Sequence, residues 1–227
     1  MPAHNAFVTA SAVGVVAVCL CAGSAAASFA FEDIQLWTGS GENIAALVID
    51  WNDGKSAESI AWGFRWTGIA TGADMVEAVI RADDRLYGAI ASLSFGIATI
   101  GIGYDLDADG FQTSPATAFD GDGHAIIAPR DGTLPADADD HYVEGWNTGY
   151  WSYWIAGDSP FGGSGAWGYA NDGLSSQLVS DGQWHGLSFA PGFNGPEPGE
   201  PVAAIPAPST IGVLALIGIA SPRRRPR

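Results

Sequence analysis

The chain has 227 residues, 47% of them hydrophobic and 15% charged, a composition typical of a globular protein and not of a disordered one. Its 25 acidic residues against nine Lys and Arg give a formal net charge of −16, and residues 28–222 contain only five of those bases. Phosphate backbones would repel so acidic a body, which excludes nucleic-acid binding. The length predicts one domain with appendages at its ends.

The first predicted element is a secretory signal peptide, residues 1–30. Phe7–Leu20 is an uncharged apolar run of the length of a signal-peptide h-region, and it is too short for a membrane span. Small residues follow it, and their spacing places cleavage after Ala27 or Ala30. An uncleaved anchor is the alternative, because no Lys or Arg precedes the run. Both cysteines lie in this segment, so we expect the mature protein to have no disulfide and no cysteine site.

Residues 31–191 are expected to form an acidic folded domain. A hairpin of Ile44–Asp50 and Ser59–Trp66 is predicted around an Asn-Asp-Gly turn. A helix is predicted to begin at the capping box of Thr71 and to run to about Ala82. Further strands are predicted at Tyr87–Phe95, Ala98–Tyr104, Tyr150–Ile155 and Trp184–Phe189. Because strands outnumber helices, the predicted fold class is α+β, a single strand-rich, Trp-rich domain with one main helix.

This body resembles uncharacterised exported proteins that carry C-terminal sorting tails, through the strings ALVIDWNDG, ESIAWGFRWTG and ATGADMVEAV. A helix, a strand, YWSYWI and then DGQWHGLSF also faintly resemble the transcobalamin-like C-terminal domain family. The second resemblance implies a small β-grasp-type module. The first resemblance implies no known activity.

The chain has nine tryptophans, all of them in the predicted domain. Trp62, Phe64 and Trp66 share one face of a predicted strand, whereas Tyr150–Ile155 carries aromatic side chains on both faces. One interpretation is a core rich in aromatic cross-strand pairs, and we favour it because large aromatic side chains are more often buried. The other is a stacking platform for a glycan or a planar small ligand, with candidate residues Trp62, Phe64, Trp66, Trp151 and Trp154.

Residues 105–140 are predicted to form a long loop that begins with the pattern D-x-D-x-D-G. In this pattern alternate carboxylates and one backbone carbonyl converge on a Ca²⁺ ion, and the candidate ligands here are Asp105, Asp107, Asp109 and, through its carbonyl, Phe111. An EF-hand would have Glu where this chain has Ala116, so a closing carboxylate must come from elsewhere, with Asp120 and Asp122 nearest in sequence. The alternative is a solvated acidic turn.

The sequence contains no signature of a nucleophile and its base. Residues 162–166 miss the last glycine of G-x-S-x-G, and the three histidines after the signal form no H-x-x-x-H pair. His185 lies in a predicted strand and is expected to be structural. We therefore favour a non-catalytic surface binding or structural module. The alternative is a secreted polysaccharide-acting hydrolase, because 25 acidic residues allow a catalytic carboxylate pair in the folded chain.

Residues 192–204 are rich in Pro and Gly and are predicted to be an extended linker. Beyond them, Ile211–Ala220 is an apolar run that would span about 15 Å as a helix, half of the hydrocarbon core. An arginine cluster ends the chain. Arginines on this side of the run predict a cytoplasmic C-terminus and a domain outside the cell.

Residues 205–227 resemble the PEP-CTERM sorting signal of exported bacterial proteins. The resemblance rests on three parts in order, a Pro-x-Pro-Ser motif, a short apolar helix and terminal arginines, carried by Pro206, Pro208, Ser209, Arg223, Arg224, Arg225 and Arg227. It implies an exosortase as partner, a transient or permanent stay in the inner membrane, and a final place in the cell envelope or extracellular matrix. Ala207 replaces the usual Glu, which bears on cleavage more than on anchoring. A plain tail anchor is the alternative.

Overall fold

A computed structural model describes residues 28–94, 96–126 and 132–206. The predicted signal peptide up to residue 27 lies outside the described residues. So does the predicted tail from residue 207 onwards, with Pro208, Ser209, Arg223, Arg224, Arg225 and Arg227. Within the described ranges, no helix is both long enough and apolar enough to cross a membrane.

The described chain is rich in strands and contains one α-helix, which confirms the α+β class at the level of its element content. The strands are β1 Trp37–Gly39, β2 Asn43–Asp50, β3 Ser59–Trp66, β4 Leu86–Leu93, β5 Gly96–Tyr104, β6 Thr113–Ser114, β7 Leu134–Pro135, β8 His141–Glu144, β9 Gly149–Ala156, β10 Gly168–Tyr169, β11 Gln183–Pro191 and β12 Val202–Ala203. A short 3-10 helix covers Phe31–Asp33.

Helix α1 covers Gly72–Ala82 and begins as predicted. The Thr71 hydroxyl accepts the backbone N–H of Asp74, and the Asp74 carboxylate accepts the backbone N–H of Thr71. This reciprocal pair satisfies two donors that a helix start leaves open. The apolar stripe that the sequence predicts is buried along the helix.

Seven strands form the main sheet, in the order β1-β3-β2-β11-β9-β10, with β12 also paired to β3. The β2–β3, β11–β9 and β9–β10 pairs are antiparallel, whereas β11 runs parallel to β2. The outer edge of β3 is covered twice, by β12 along its first half and by β1 along its second half. Both of these strands run parallel to β3, so the two additions protect an edge that would otherwise be open to pairing.

The remaining strands form smaller sheets. An antiparallel sheet has the order β4-β5-β8, and β6 pairs with β7. The predicted loop 105–140 connects β5 to β8 and contains the β6–β7 pair, so it is less irregular than its composition suggests.

The core lies on both faces of the main sheet. One face packs against α1 and the β4-β5-β8 sheet, and it buries Leu47, Trp62 and Leu187 among others. The opposite face buries Val48 and Trp184 beneath the N-terminal residues and the segment around Trp167. Because both faces of the sheet are covered, the sequence of β2 is a nearly continuous apolar run.

Two glycines allow bulky groups to approach the second face closely. A Cβ on Gly63 would lie 2.2 Å from the Trp37 ring, and a Cβ on Gly186 would lie 2.5 Å from the Pro198 ring. The Arg65 guanidinium stacks over the same Trp37 ring at 4.6 Å. Glycine is therefore required at both positions to let these rings lie flat on the sheet.

The segment predicted to be a linker is packed on the domain. The Gly199 N–H donates to Asp50 Oδ2 at 2.6 Å, and the indole N–H of Trp167 donates to the Pro198 carbonyl at 3.1 Å. Further along, Ala204 is buried, and its N–H donates to the Ala61 carbonyl at 2.9 Å. The folded unit therefore continues well beyond residue 191.

Candidate functional site

Four of the five aromatic residues predicted to bind a ligand are buried, namely Trp62, Phe64, Trp66 and Trp151. The Phe64 and Trp66 rings stack at 5.4 Å, and the Trp62 indole donates to Asp83 Oδ2 at 3.0 Å. They face the side of the main sheet that α1 and the smaller sheet cover. The core interpretation applies to these four, and a ligand platform can include only the fifth, Trp154.

Trp154 belongs to a surface cluster that we call the exposed aromatic row and define as Trp154, Tyr169, Tyr150 and Phe193. Trp154 and Tyr150 are half-buried, and the other two are exposed. The Trp154 and Tyr169 rings meet edge to face at 5.2 Å, and the Tyr150 and Phe193 rings stack at 6.0 Å. Tyr169 and Phe193 are 54% and 57% exposed, values unusual for such large side chains.

Strand pairing explains the position of the aromatic row. Tyr150 and Trp154 lie four residues apart on β9 and share the face opposite to Trp151. Tyr169 on β10 is the register partner of Trp154, and β10 is the edge of the sheet. Phe193 reaches Tyr150 from the turn that follows β11.

Hydroxyl groups satisfy the polar atoms of the row. The Tyr169 hydroxyl donates to the Tyr150 hydroxyl at 3.3 Å, and the Trp154 indole donates to the Ser152 hydroxyl at 2.8 Å. Burial, together with the Tyr150 hydroxyl, raises the pKa of Tyr169 to about 12. The Tyr169 hydroxyl therefore stays neutral at physiological pH, and the row presents apolar faces with neutral polar edges.

A small cavity lies on the other side of β9. It has a volume of about 200 Å³, and its lining includes Trp151, Tyr153, Thr99 and Leu174. The Trp151 indole nitrogen and the Thr99 hydroxyl are both buried without a hydrogen-bond partner in the described part of the chain. This volume is below the range typical of drug-sized ligand pockets.

The candidate metal ligands Asp105, Asp107 and Asp109 are brought together, each offering an oxygen within 4.8 Å of the others. Asp105 is buried, and its two oxygens accept the N–H groups of Ala108 and Gly110 at 2.7 and 3.0 Å. The neighbouring Asp107 charge raises the pKa of Asp109.

Phe111, the fourth predicted ligand, fixes the end of this loop through its ring. The ring stacks on Tyr87 at 4.3 Å and lies over Gly103. We call residues 105–111 the Asp loop.

Asp120 and Asp122 do not join the Asp loop. Asp120 Oδ1 accepts the N–H groups of Asp122 and His124, and Asp122 lies 3.8 Å from the Arg81 guanidinium. They line a separate cavity of about 260 Å³ that Asp83 and Asp84 also line. The two candidates nearest in sequence are therefore held away from the Asp loop, because their turn packs against the end of α1.

Asp140 is the acidic residue that the sequence analysis missed. Its Oδ1 accepts the N–H of Leu106 at 3.1 Å, inside the Asp loop, while Oδ2 is buried without a partner among the described residues. Burial raises the pKa of Asp140 to about 6, and the nearby charges of Asp105, Asp137 and Asp107 add to the effect. No local signal in the sequence identifies it, because its position depends on the pairing of β8 with β5.

A hydrogen-bonded His–Asp pair lies directly beside Asp140 in the sequence. His141 Nδ1 lies 2.9 Å from Asp53 Oδ2, and its Nε2 lies 2.9 Å from the Ala57 carbonyl. The imidazole of His141 stacks on Trp51 at 4.6 Å. Burial acts to raise the pKa of Asp53, but the hydrogen bonds and charges of His141 and Lys55 together lower it. The His141–Asp53 pair fixes the β2–β3 connection against the base of the loop.

Comparisons with protein families, with curated proteins and with solved structures found no match to this chain.

Proposed function

We propose that this protein is exported to the cell envelope or extracellular matrix and acts there as a non-catalytic binding module. In this proposal the N-terminal segment directs export, and the PEP-CTERM-like tail is handled by an exosortase in the inner membrane. The described domain then faces the outside and binds a glycan or another ligand with a flat apolar face. The sequence supports the sorting part of the proposal, because a signal-peptide-like segment stands at its N-terminal end and a PEP-CTERM-like segment at its C-terminal end.

The exposed aromatic row is the observation that carries the binding part. Its members come from three separate parts of the chain and converge on one surface. A pyranose ring offers one face of C–H groups, which stacks on aromatic rings, and hydroxyls at its rim, which pair with groups such as those of Tyr150 and Tyr169. Aromatic contacts of this kind contribute about 0.5–1.5 kcal/mol each beyond simple burial.

The acidic cavity beside α1 contains several carboxylates, as the alternative function of a polysaccharide hydrolase would require. Hydrolysis needs one carboxyl group with a raised pKa as the general acid and a second as base or nucleophile. Hydrogen bonds, first of all from the His124 N–H, instead lower the pKa of Asp120. Asp83 is already bound by the Trp62 indole and by Arg85. These contacts disfavour hydrolysis in this cavity.

A glycan array probed with the full-length protein tests the proposal, together with titration of a corrinoid as a planar small ligand. We expect binding to at least one glycan class. Tyr169→Ala and Trp154→Ala should each weaken that binding about two- to tenfold, since each removes one stacking contact. Ile69→Ala is the matched control, because Ile69 is 85% exposed outside the row, and it should bind as the wild type does.

Two results would contradict the proposal. One is the release of reducing sugar ends from a bound polysaccharide, which would establish the hydrolase instead. The other is equal binding by the wild type and by the double variant Tyr169→Ala/Trp154→Ala, which would remove the row from the function.

A further inference from the structure

We propose that the Asp loop binds one Ca²⁺ ion and that Asp140 supplies its fourth carboxylate. The site is separate from the aromatic row. Asp107 and Asp109 lie on the exposed side of the loop, whereas Asp105 and Asp140 form its buried base. The arrangement therefore joins an exposed rim to a buried floor.

The two buried aspartates lie one residue beyond the end of the β5–β8 pair. Tyr104 and His141 are register partners at the ends of β5 and β8. Asp105 follows Tyr104 and Asp140 precedes His141, so the two aspartates occupy the next opposing positions across the antiparallel pair. Like charges at such positions destabilise a sheet, and both of these residues are almost fully buried.

The second oxygen of Asp140 points to a missing positive partner. Asp140 is 0% exposed, and its Oδ2 has no hydrogen-bond partner in the described ranges. The other oxygen of the same carboxylate is bound to the N–H of Leu106, which turns the group towards the Asp loop. A buried carboxylate oxygen without a donor or a cation is costly.

Among the described residues, Lys55 is a basic side chain at this place, and its ammonium group donates to the main-chain carbonyl of Asp140. One ammonium group, engaged in this way, leaves the carboxylates of Asp105, Asp107 and Asp109 to repel one another. A divalent cation bound to their oxygens removes this repulsion and also provides Oδ2 of Asp140 with a ligand bond.

The ligand chemistry selects Ca²⁺. All the donor groups are oxygens, and an irregular loop with several carboxylates suits the high and flexible coordination of Ca²⁺ better than the strict octahedron of Mg²⁺. An entry path exists, since Asp107 also lines an open hollow together with Lys55 and Asp139. Extracellular modules of this kind bind Ca²⁺ with dissociation constants of about 10⁻⁴–10⁻³ M.

Binding would also fasten the long connection between β5 and β8. Asp105 and Asp140 are its first and last residues, so a shared ion closes the loop at its base. If the protein is exported as proposed, it meets millimolar Ca²⁺ only outside the cell. The ion would therefore bind, and close the β5–β8 connection, after export.

The test uses the full-length protein, freed of metal by a chelator and titrated with Ca²⁺ in a calorimeter. Tb³⁺ luminescence gives an independent readout, because Trp51 stacks on His141 next to Asp140 and can sensitise a bound lanthanide. We expect one equivalent of Ca²⁺ to bind, with Mg²⁺ competing poorly. Asp140→Asn and Asp109→Asn should each weaken binding at least tenfold.

Asp122→Asn is the matched control, since this exposed carboxylate lies beside Arg81 and outside the Asp loop, and its affinity should equal that of the wild type. Asp109 is exposed, so its variant keeps the test valid even if Asp140→Asn fails to fold. No heat or Tb³⁺ signal at 10 mM cation, about tenfold above the weakest expected dissociation constant, would overturn the site. Unchanged affinity in a folded Asp140→Asn variant would overturn the role of Asp140.

Discussion

His185 lies inside the main sheet with no exposed surface. The Tyr153 hydroxyl donates to Nδ1 at 2.5 Å, and Nε2 donates to the Gln183 side-chain oxygen at 3.0 Å. Burial raises the pKa of Tyr153 and lowers the pKa of His185 to about 4. The imidazole is therefore neutral and fully hydrogen-bonded, which agrees with the structural role that its strand position predicts.

This depressed pKa makes stability depend on pH. Below about pH 6.5 the unfolded chain protonates its histidine, whereas the folded chain does not until about pH 4. Protons bind preferentially to the unfolded state in that window, so the free energy of unfolding falls as the pH falls. We expect the wild type to lose about 3 kcal/mol more than His185→Gln between pH 7 and pH 4.

Denaturant unfolding of both proteins across this pH range measures the difference, because the titrating groups that the two proteins share contribute equally to both. Parallel stability curves for the two proteins would show that His185 is protonated in the folded state.

The aromatic residues illustrate what could be predicted one residue at a time. Alternation correctly assigned Trp62, Phe64 and Trp66 to one face, but it carries no information about which face another element covers. Trp154 is accessible because it lies on the outer face near the edge strand β10. Tyr169 and Phe193 join it from distant parts of the sequence, so no local pattern predicts the row.

At the scale of elements, β12 is the segment whose docking most needs a test. Ala204 directly follows β12 and is 1% exposed, whereas Val202 within it is 51% exposed. Ala204→Arg places a long charged side chain where no space exists, and should lower the free energy of unfolding by about 1–3 kcal/mol by undocking the strand. Val202→Arg should change it by less than about 0.5 kcal/mol, because its side chain points to solvent.

Denaturation midpoints of the full-length variants measure both effects. If both variants unfold at the wild-type midpoint, the segment from residue 192 is a free linker after all.

The longer elements could be predicted because each carries a strong local signal. The strands β2, β3, β9 and β11 are rich in apolar and aromatic residues over eight or nine positions. Helix α1 has an N-terminal capping box and a stripe of apolar side chains along one face. The two-residue strands β6, β7, β10 and β12 carry no such signal, because pairing with a neighbour defines them. The Asp105–Asp140 pair was missed for the same reason, since it depends on the register of β5 with β8.

At the scale of the whole molecule, the two ends of the described domain are fastened to each other. The Phe29 N–H donates to Glu200 Oε1 at 2.8 Å, and the Phe29 carbonyl accepts the Ser159 hydroxyl at 3.0 Å. Arg85 donates to the Ile205 carbonyl and pairs with Asp83, both charged groups being buried. These contacts hold the segments that lead to the predicted signal peptide and tail against a domain expected to have no disulfide.

The packing of Phe29 distinguishes the two predicted cleavage sites. A chain that starts at Ser28 keeps the Phe29 ring against Trp184, at 6.2 Å edge to face, together with its bonds to Glu200 and Ser159. A chain that starts at Phe31 loses all three contacts. Phe29 is half-buried, so its packing contributes about 1 kcal/mol, part of the value for full burial, and a marginally stable domain needs such contributions. We therefore expect mass spectrometry of the exported protein to find Ser28 as its first residue. A mature chain beginning at Phe31 would contradict this expectation, and an uncleaved N-terminus with both cysteines present would contradict export by a cleaved signal.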